Sequence, residues 1–216
     1  MSDLITIEAV DTDGAIREAH EAVGGDSRAD FFRKAAIGGG ALVGSGLLLG
    51  GLPELAAAAR SKKQDVNILN FALTLEYLES EFYKEALRKA NLQGDVLSTT
   101  KIVTAHEDAH VRFLKLALGS ARKSKPKFDF KGTTSDAAKF LDTAVMLEDT
   151  GVTAYSGQGP RILQSKVLKA AVSILTVEAR HASRFRSLRG RNFAPRTFDK
   201  PASAKQVLAK ANGFIR

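Results

Sequence analysis

Four glutamates, two histidines and two tyrosines recur in this chain at matched spacings. Leu75-Glu76 is followed by Tyr83, seven residues after the glutamate, and Leu147-Glu148 is followed by Tyr155 at the same distance. Glu107-Asp-Ala-His110 matches Glu178-Ala-Arg-His181, with Phe113 and Phe185 a little beyond. The copies are offset by 72, 71 and 71 residues. One such match is within reach of chance; three in one order at nearly one offset point to a duplicated helix pair. Residues three apart on a helix share a face, so each Glu-x-x-His offers a carboxylate and an imidazole to the same side. Oxygen and imidazole donors without sulfur suit iron or manganese, with zinc possible in vitro. Burying four carboxylates without compensation is very costly. Two divalent cations would bring four positive charges against four negative ones and make the set tolerable.

The surrounding pattern supplies the helices that such a site requires. Asp65 can cap a first helix running to about Asn91, with Ile68, Ala72, Leu75, Phe82 and Ala86 on its apolar side. Asn91–Asp95 reads as a stop, a turn and a restart. A second helix follows to about Gly119, with Ile102, Ala105, Ala109, Phe113 and Leu116 on one side. Lys123–Thr134, with Pro126 and Gly132, is a polar connection long enough to cross between helix pairs. Thr134 or Ser135 can cap a third helix that turns Phe140, Ala144 and Leu147 inward. Gly157, Gly159 and Pro160 suggest an early end to it, whereas repeat symmetry places the turn near Gln164-Ser165. The later turn, with a kink at Pro160, is the expectation adopted. The fourth helix carries Leu168, Ala171, Leu175, Glu178 and Ala182; Arg189–Pro201 is a loop, and Ser203–Ala211 a short final helix. At 1.5 Å per residue, Glu76 lies roughly 22 Å before Asn91 and Glu107 roughly 18 Å after Asp95. The two glutamates therefore return to one level, and Glu148 and Glu178 do the same if the later turn holds.

A Glu from each of two helices and a Glu-x-x-His from each of the other two is the arrangement of two-metal ferritin-like bundles. Leu75–Tyr83, Glu107–His110, Leu147–Tyr155 and Val177–His181 together resemble the exported ferritin-like group that includes the plant desiccation-related proteins and bacterial relatives. The resemblance covers about residues 64–190. It implies an all-α, ferritin-like four-helix bundle of two helix pairs joined by a long crossover, plus a short C-terminal helix. It implies two divalent metal ions, iron or manganese, held by Glu76, Glu107, His110, Glu148, Glu178 and His181. Tyr83 and Tyr155 then fall beside the metals, as tyrosines whose hydroxyls reach ligand carboxylates.

Neighbouring candidates are weighed against this set. Glu79, one turn after Glu76, is its internal rival; the repeat favours Glu76, because Thr150-Gly151 stand where a second acid after Glu148 would be. Glu79 and Glu81 are expected in a polar network or at the surface. His106 points off the ligand face and is read as a non-ligand, and His20 lies in the N-terminal arm.

The chain has no cysteine, which excludes disulfides, iron–sulfur clusters, thiol catalysis and a rubredoxin-like electron donor. Its net charge of +8 is uneven: residues 1–59 hold nine acids and four bases, for −5, leaving +13 on the remainder. The bases are scattered over helix faces and loops, so no nucleic-acid partner is expected. Residues 1–63 divide into an acidic arm expected to be disordered and an export-signal-like segment. Arg28, Arg33 and Lys34 precede the apolar run 35–59, which ends in small residues, as a secretory leader does. Ser27–Arg33 is similar to the twin-arginine export signal, with Ala29 where the second arginine belongs. The expectation is an exported, periplasmic, envelope or secreted protein that uses twin-arginine or other export machinery; the alternative is a membrane anchor formed by uncleaved residues 35–59. Residues 64–190 are the bundle and 191–216 the C-terminal loop and helix. Metal ions and small oxidants are the expected partners, with a homo-oligomer possible. The activity expected is that of a di-metal oxidoreductase in stress protection: ferroxidase, peroxidase or catalase-like. The alternative is a non-enzymatic envelope or desiccation-stress protein with a structural or vestigial metal site.

Overall fold

The computed structural model describes residues 61–216. The acidic arm, the twin-arginine-like segment and the apolar run 35–59 lie outside the described residues. Five α-helices make up most of what is described: α1 (Lys62–Lys89), α2 (Gly94–Leu118), α3 (Ala137–Gln158), α4 (Ser165–Leu188) and α5 (Ala204–Ala211). α1 packs chiefly on α2 and α3 on α4, and the two pairs close into a four-helix bundle with α5 against α3. Among the described residues, no helix is long and apolar enough to cross a membrane.

Several ends differ from the expected ones, each for a physical reason. Ser61, not Asp65, caps α1, its hydroxyl accepting from the Gln64 amide. Asp65 is buried and accepts instead from the Leu163 and Gln164 amides and the Gln164 side chain, so it pins the start of α4. Asp136 caps α3 through the Lys139 amide; Thr134 donates to Glu85 of α1 and fastens the crossover. α3 does not kink at Pro160 but stops at Gln158, and a 3-10 turn at Gly159–Arg161 carries the proline. α4 then begins at Ser165, so the vertical register expected from the repeat is kept. The final helix has a full capping box between Ser203 and Gln206. Ala202 lies so close to α3 that a Cβ on Gly157 would meet its carbonyl oxygen at 1.9 Å. Phe128 of the crossover pairs with Ile215, tying the C-terminus to the loop between the two halves.

The largest correction concerns α2. Its stripe of Ile102, Ala105, Ala109, Phe113 and Leu116 faces outward, with Leu116 83 % exposed. The buried face is instead Thr99, Thr100, Val103, Glu107, Leu114 and Leu118. That face is only half apolar because it must carry Glu107, so hydrophobicity alone points to the wrong side.

The core has two apolar clusters. One gathers Phe82, Tyr83, Phe140 and Phe185, with Tyr83 stacked on Phe185 at 5.5 Å and Phe82 on Phe140 at 5.3 Å. The other gathers Ile68, Leu73, Leu114, Tyr155, Ala171 and Ile174. On α1 the second cluster takes Ile68–Leu73 and the first takes residues from Leu75 onward, and Glu76 stands beside that changeover.

Candidate metal centre

Each of the four bundle helices delivers one glutamate to the interior, and all four, Glu76, Glu107, Glu148 and Glu178, are 0 % exposed. His181 is buried with them, and His110 is half-buried at the edge. The six side chains expected to converge are brought together in two overlapping groups. Glu76, Glu107, His110 and Glu178 form one; Glu107, Glu148, Glu178 and His181 form the other. In each group every residue offers an atom within 4.8 Å of every other. Glu107 and Glu178 belong to both groups, whereas each group has its own glutamate and histidine.

The contacts repeat the sequence symmetry in crossed form. Tyr83 of α1 donates its hydroxyl to Glu148 of α3, and Tyr155 of α3 donates to Glu76 of α1 at 2.5 Å. Each tyrosine thus orients the glutamate of the other half. His110 Nδ1 lies 3.2 Å from Glu76, 3.1 Å from Glu107 and 3.3 Å from Glu178. His181 Nδ1 lies 3.0 Å from Glu107 and 3.2 Å from Glu148.

Those His181 approaches are charge contacts without hydrogen-bond alignment. His181 Nδ1, Glu107 Oε1, Glu148 Oε2 and both Glu178 oxygens are buried with no hydrogen-bond partner. Unsatisfied buried polar atoms are rare in folded proteins and call for an explanation. Here five gather at one level, all with lone pairs to give, in a donor set of carboxylate and imidazole. Such a set fits divalent cations of the iron or manganese type.

Electrostatics carry the same message. Burial, then repulsion from the neighbouring carboxylates, pushes Glu178 and Glu107 well above the usual carboxylate range. Burial also raises Glu76, but its hydrogen bonds from His110 and Tyr155 outweigh this and leave it lowered. Burial works against a charge on His110, yet the close carboxylates of Glu107, Glu178 and Glu76 lift it to about 12. His181 is raised by Glu148 and Glu178 despite burial. Without cations, burial and mutual repulsion therefore favour the protonated forms at this site.

Two residues gain roles that the sequence did not disclose. His106, read as a non-ligand, belongs to neither group but places Nδ1 2.9 Å from Nε2 of His181, with the two rings within 19° of parallel. It holds the imidazole whose other nitrogen faces the glutamates, in the place where a carboxylate, carbonyl or water commonly orients a ligating histidine. Glu79 is buried beside the cluster, and burial together with Glu178 and Glu148 raises it strongly. Gly151 makes the space: a Cβ there would lie 2.7 Å from Glu178 Oε2 and 3.4 Å from Glu79 Oε1. The signal was present in the repeat, where Gly151 stands opposite Glu79, but its meaning needed the packing.

A family model described as a ferritin-like domain matches residues 64–191. Among solved structures, hypothetical protein MJ0754 from Methanococcus jannaschii DSM 2661 superposes with a TM-score of 0.52. It covers 75 % of this chain and 97 % of its own at 14 % identity, which speaks for the fold alone. No curated protein matches the sequence.

Proposed function

We propose that this chain, which belongs to the ferritin-like domain family, holds two iron or manganese ions and performs redox chemistry on iron, dioxygen or peroxide. The reading rests on one observation: two ligand groups share Glu107 and Glu178 and leave five buried lone-pair atoms unpartnered. Glu76 and His110 would complete one ion's ligands, Glu148 and His181 the other's. Two such ions would supply electron exchange and a paired Lewis-acid anchor for an oxygen–oxygen bond. The chain's own contribution is orientation and exclusion. Tyr83 and Tyr155 fix Glu148 and Glu76, His106 fixes His181, and the two apolar clusters keep water from the carboxylates.

Export and a part in stress protection are proposed from sequence, on Ser27–Arg33, the apolar run 35–59 and the resemblance to desiccation-related proteins. Elemental analysis of the purified protein beside a Glu107→Ala, Glu178→Ala variant tests the site. Two metals per chain in the parent and none in the variant is the expected result. Oxygen uptake and peroxide consumption by the loaded parent test the chemistry. Full loading without either activity would leave a structural metal and favour the non-enzymatic envelope protein.

A further inference from the structure

The bundle holds an apolar cavity on the Tyr155 side of the carboxylates. It measures about 40 Å3, and Ala72, Phe113, Leu114, Ala171 and Ile174 are among the side chains that enclose it. Two polar side chains reach its wall. Tyr155 spends its hydroxyl on Glu76. Gln158 is buried, and its Nε2 has no hydrogen-bond partner. A water needs roughly 10–15 Å3 and two to four polar partners. The space suffices for water, but a single free donor falls short of the partners that would hold one. What fits is a molecule of two or three heavy atoms with no strong need for hydrogen bonds.

The position gives the cavity a use. Tyr155 forms part of its wall and touches Glu76 on its other side, and Leu75, also in the wall, is the neighbour of Glu76. Phe113 is 42 % exposed, so the lining extends to the surface of the bundle. A small apolar molecule resting there lies against the Tyr155 side chain, whose hydroxyl reaches Glu76. Of the oxidants considered above, dioxygen is apolar and diatomic, whereas peroxide would demand hydrogen bonds that the walls do not offer.

We infer that this cavity is a binding pocket for dioxygen that feeds the carboxylate cluster from the Tyr155 side. The delivery role rests on the redox reading above; the gas binding does not. Xenon, an apolar atom of suitable size, is the probe. Full-length protein with labelled methyl groups is pressurised with xenon, both metal-free and iron-loaded, and compared with Ala171→Leu and Ala72→Leu, which fill the cavity from two different helices. Saturable shifts of the Ile174 and Leu114 methyls are expected in the parent and are lost in both variants. The variants are expected to keep the parent's metal content while dioxygen-driven iron oxidation slows several-fold. Using two variants guards against one that fails to fold. Absence of saturable xenon shifts in the parent overturns the pocket. Unchanged oxidation in a variant that has lost xenon binding overturns the delivery role. Xenon bound in a parent that consumes no dioxygen overturns the redox reading and delivery together, and the xenon result separates that failure from a failure of the pocket.

Discussion

The α1–α2 pair and the α3–α4 pair are two copies of one plan, and their differences are more informative than their likeness. Both carry a glutamate, a tyrosine seven residues later and a Glu-x-x-His. Each tyrosine serves the other pair's glutamate, so neither half completes a site alone. Two of the positions at which the copies diverge bear on the site. Glu79 in the first pair is opposed by Gly151 in the second, and His106 is opposed by Val177. The first divergence is a matter of volume, because the side chain missing at Gly151 leaves room for Glu178 and Glu79. The second makes the two ligand groups unequal: His181 has an imidazole partner behind it, and no such partner is seen behind His110 among the described residues. The two halves share one scaffold; a glycine and a histidine make its two ligand groups chemically distinct.

The strongest way to break the comparison is to remove what the halves share. Glu107→Gln and Glu178→Gln, one from each half, are expected to abolish metal binding together, as elemental analysis would read. At neutral pH the metal-free double variant should be more stable than the metal-free parent by about 1 kcal/mol or more, because each raised carboxyl must keep a proton that the unfolded chain has released and an amide carries no such cost. Thermal unfolding in chelator measures this. A double variant that unfolds below the metal-free parent would mean that those carboxylates are not electrostatically frustrated.

His106→Ala sharpens the comparison. Losing a partner behind a ligating histidine typically costs about 10–100-fold in metal affinity. The loss should fall on one ion of the two, so a titration followed by calorimetry should become biphasic. Val177→Ala, at the matching place in the second half, should leave the titration unchanged. A uniform loss across both ions would erase the claimed inequality.

Gly151→Ala asks how much the asymmetry of volume matters. Alanine gains about 1 kcal/mol of helix propensity over glycine, yet its methyl would stand 2.7 Å from Glu178 Oε2. Metal affinity is expected to fall as Glu178 is displaced, while the metal-free protein loses little. Adding Glu79→Ala opens space for Glu178 and should recover part of the affinity. No recovery would show that Glu79 is unconnected with the strain.

What could be read beforehand follows from which interactions are local in the chain. The Glu, Tyr and Glu-x-x-His spacing repeats along the sequence, so the six convergent residues and the bundle were legible from it. Asp65 resembled a cap because its partners, Leu163 and Gln164, are almost a hundred residues away. The exposed stripe of α2 misled because a helix that must bury Glu107, Thr99 and Thr100 does not turn its most apolar side inward. The bond between His106 and His181 depends on the rotation of α2 against α4, which no spacing within one helix encodes. Burial of Glu79 likewise depends on a glycine across the bundle.

Proton binding offers the gentlest test. Glu107, Glu178 and Glu79 are raised above their ordinary 4.5, and His110 and His181 above 6.5. A group with a raised folded value keeps a proton that the unfolded chain has released, so its stabilisation is complete below the unfolded value and is lost as pH climbs. All five act in the same direction. Glu76, which is lowered, opposes them only as pH falls through the acidic range, and His106, lowered by burial and by His181, opposes them near pH 6 as one group against five. Between about pH 5 and 9 the metal-free protein should therefore melt at progressively lower temperature as pH rises. Cations reverse the sign: they displace those protons, binding releases them, and affinity grows with pH. Melting curves taken in chelator and in manganese should diverge as pH increases, and the Glu107→Gln, Glu178→Gln variant should show a shallower slope in chelator and no divergence. Parallel curves for the parent would mean that protons and metal do not compete for one site, and the likeness between the two halves would then be architectural rather than chemical.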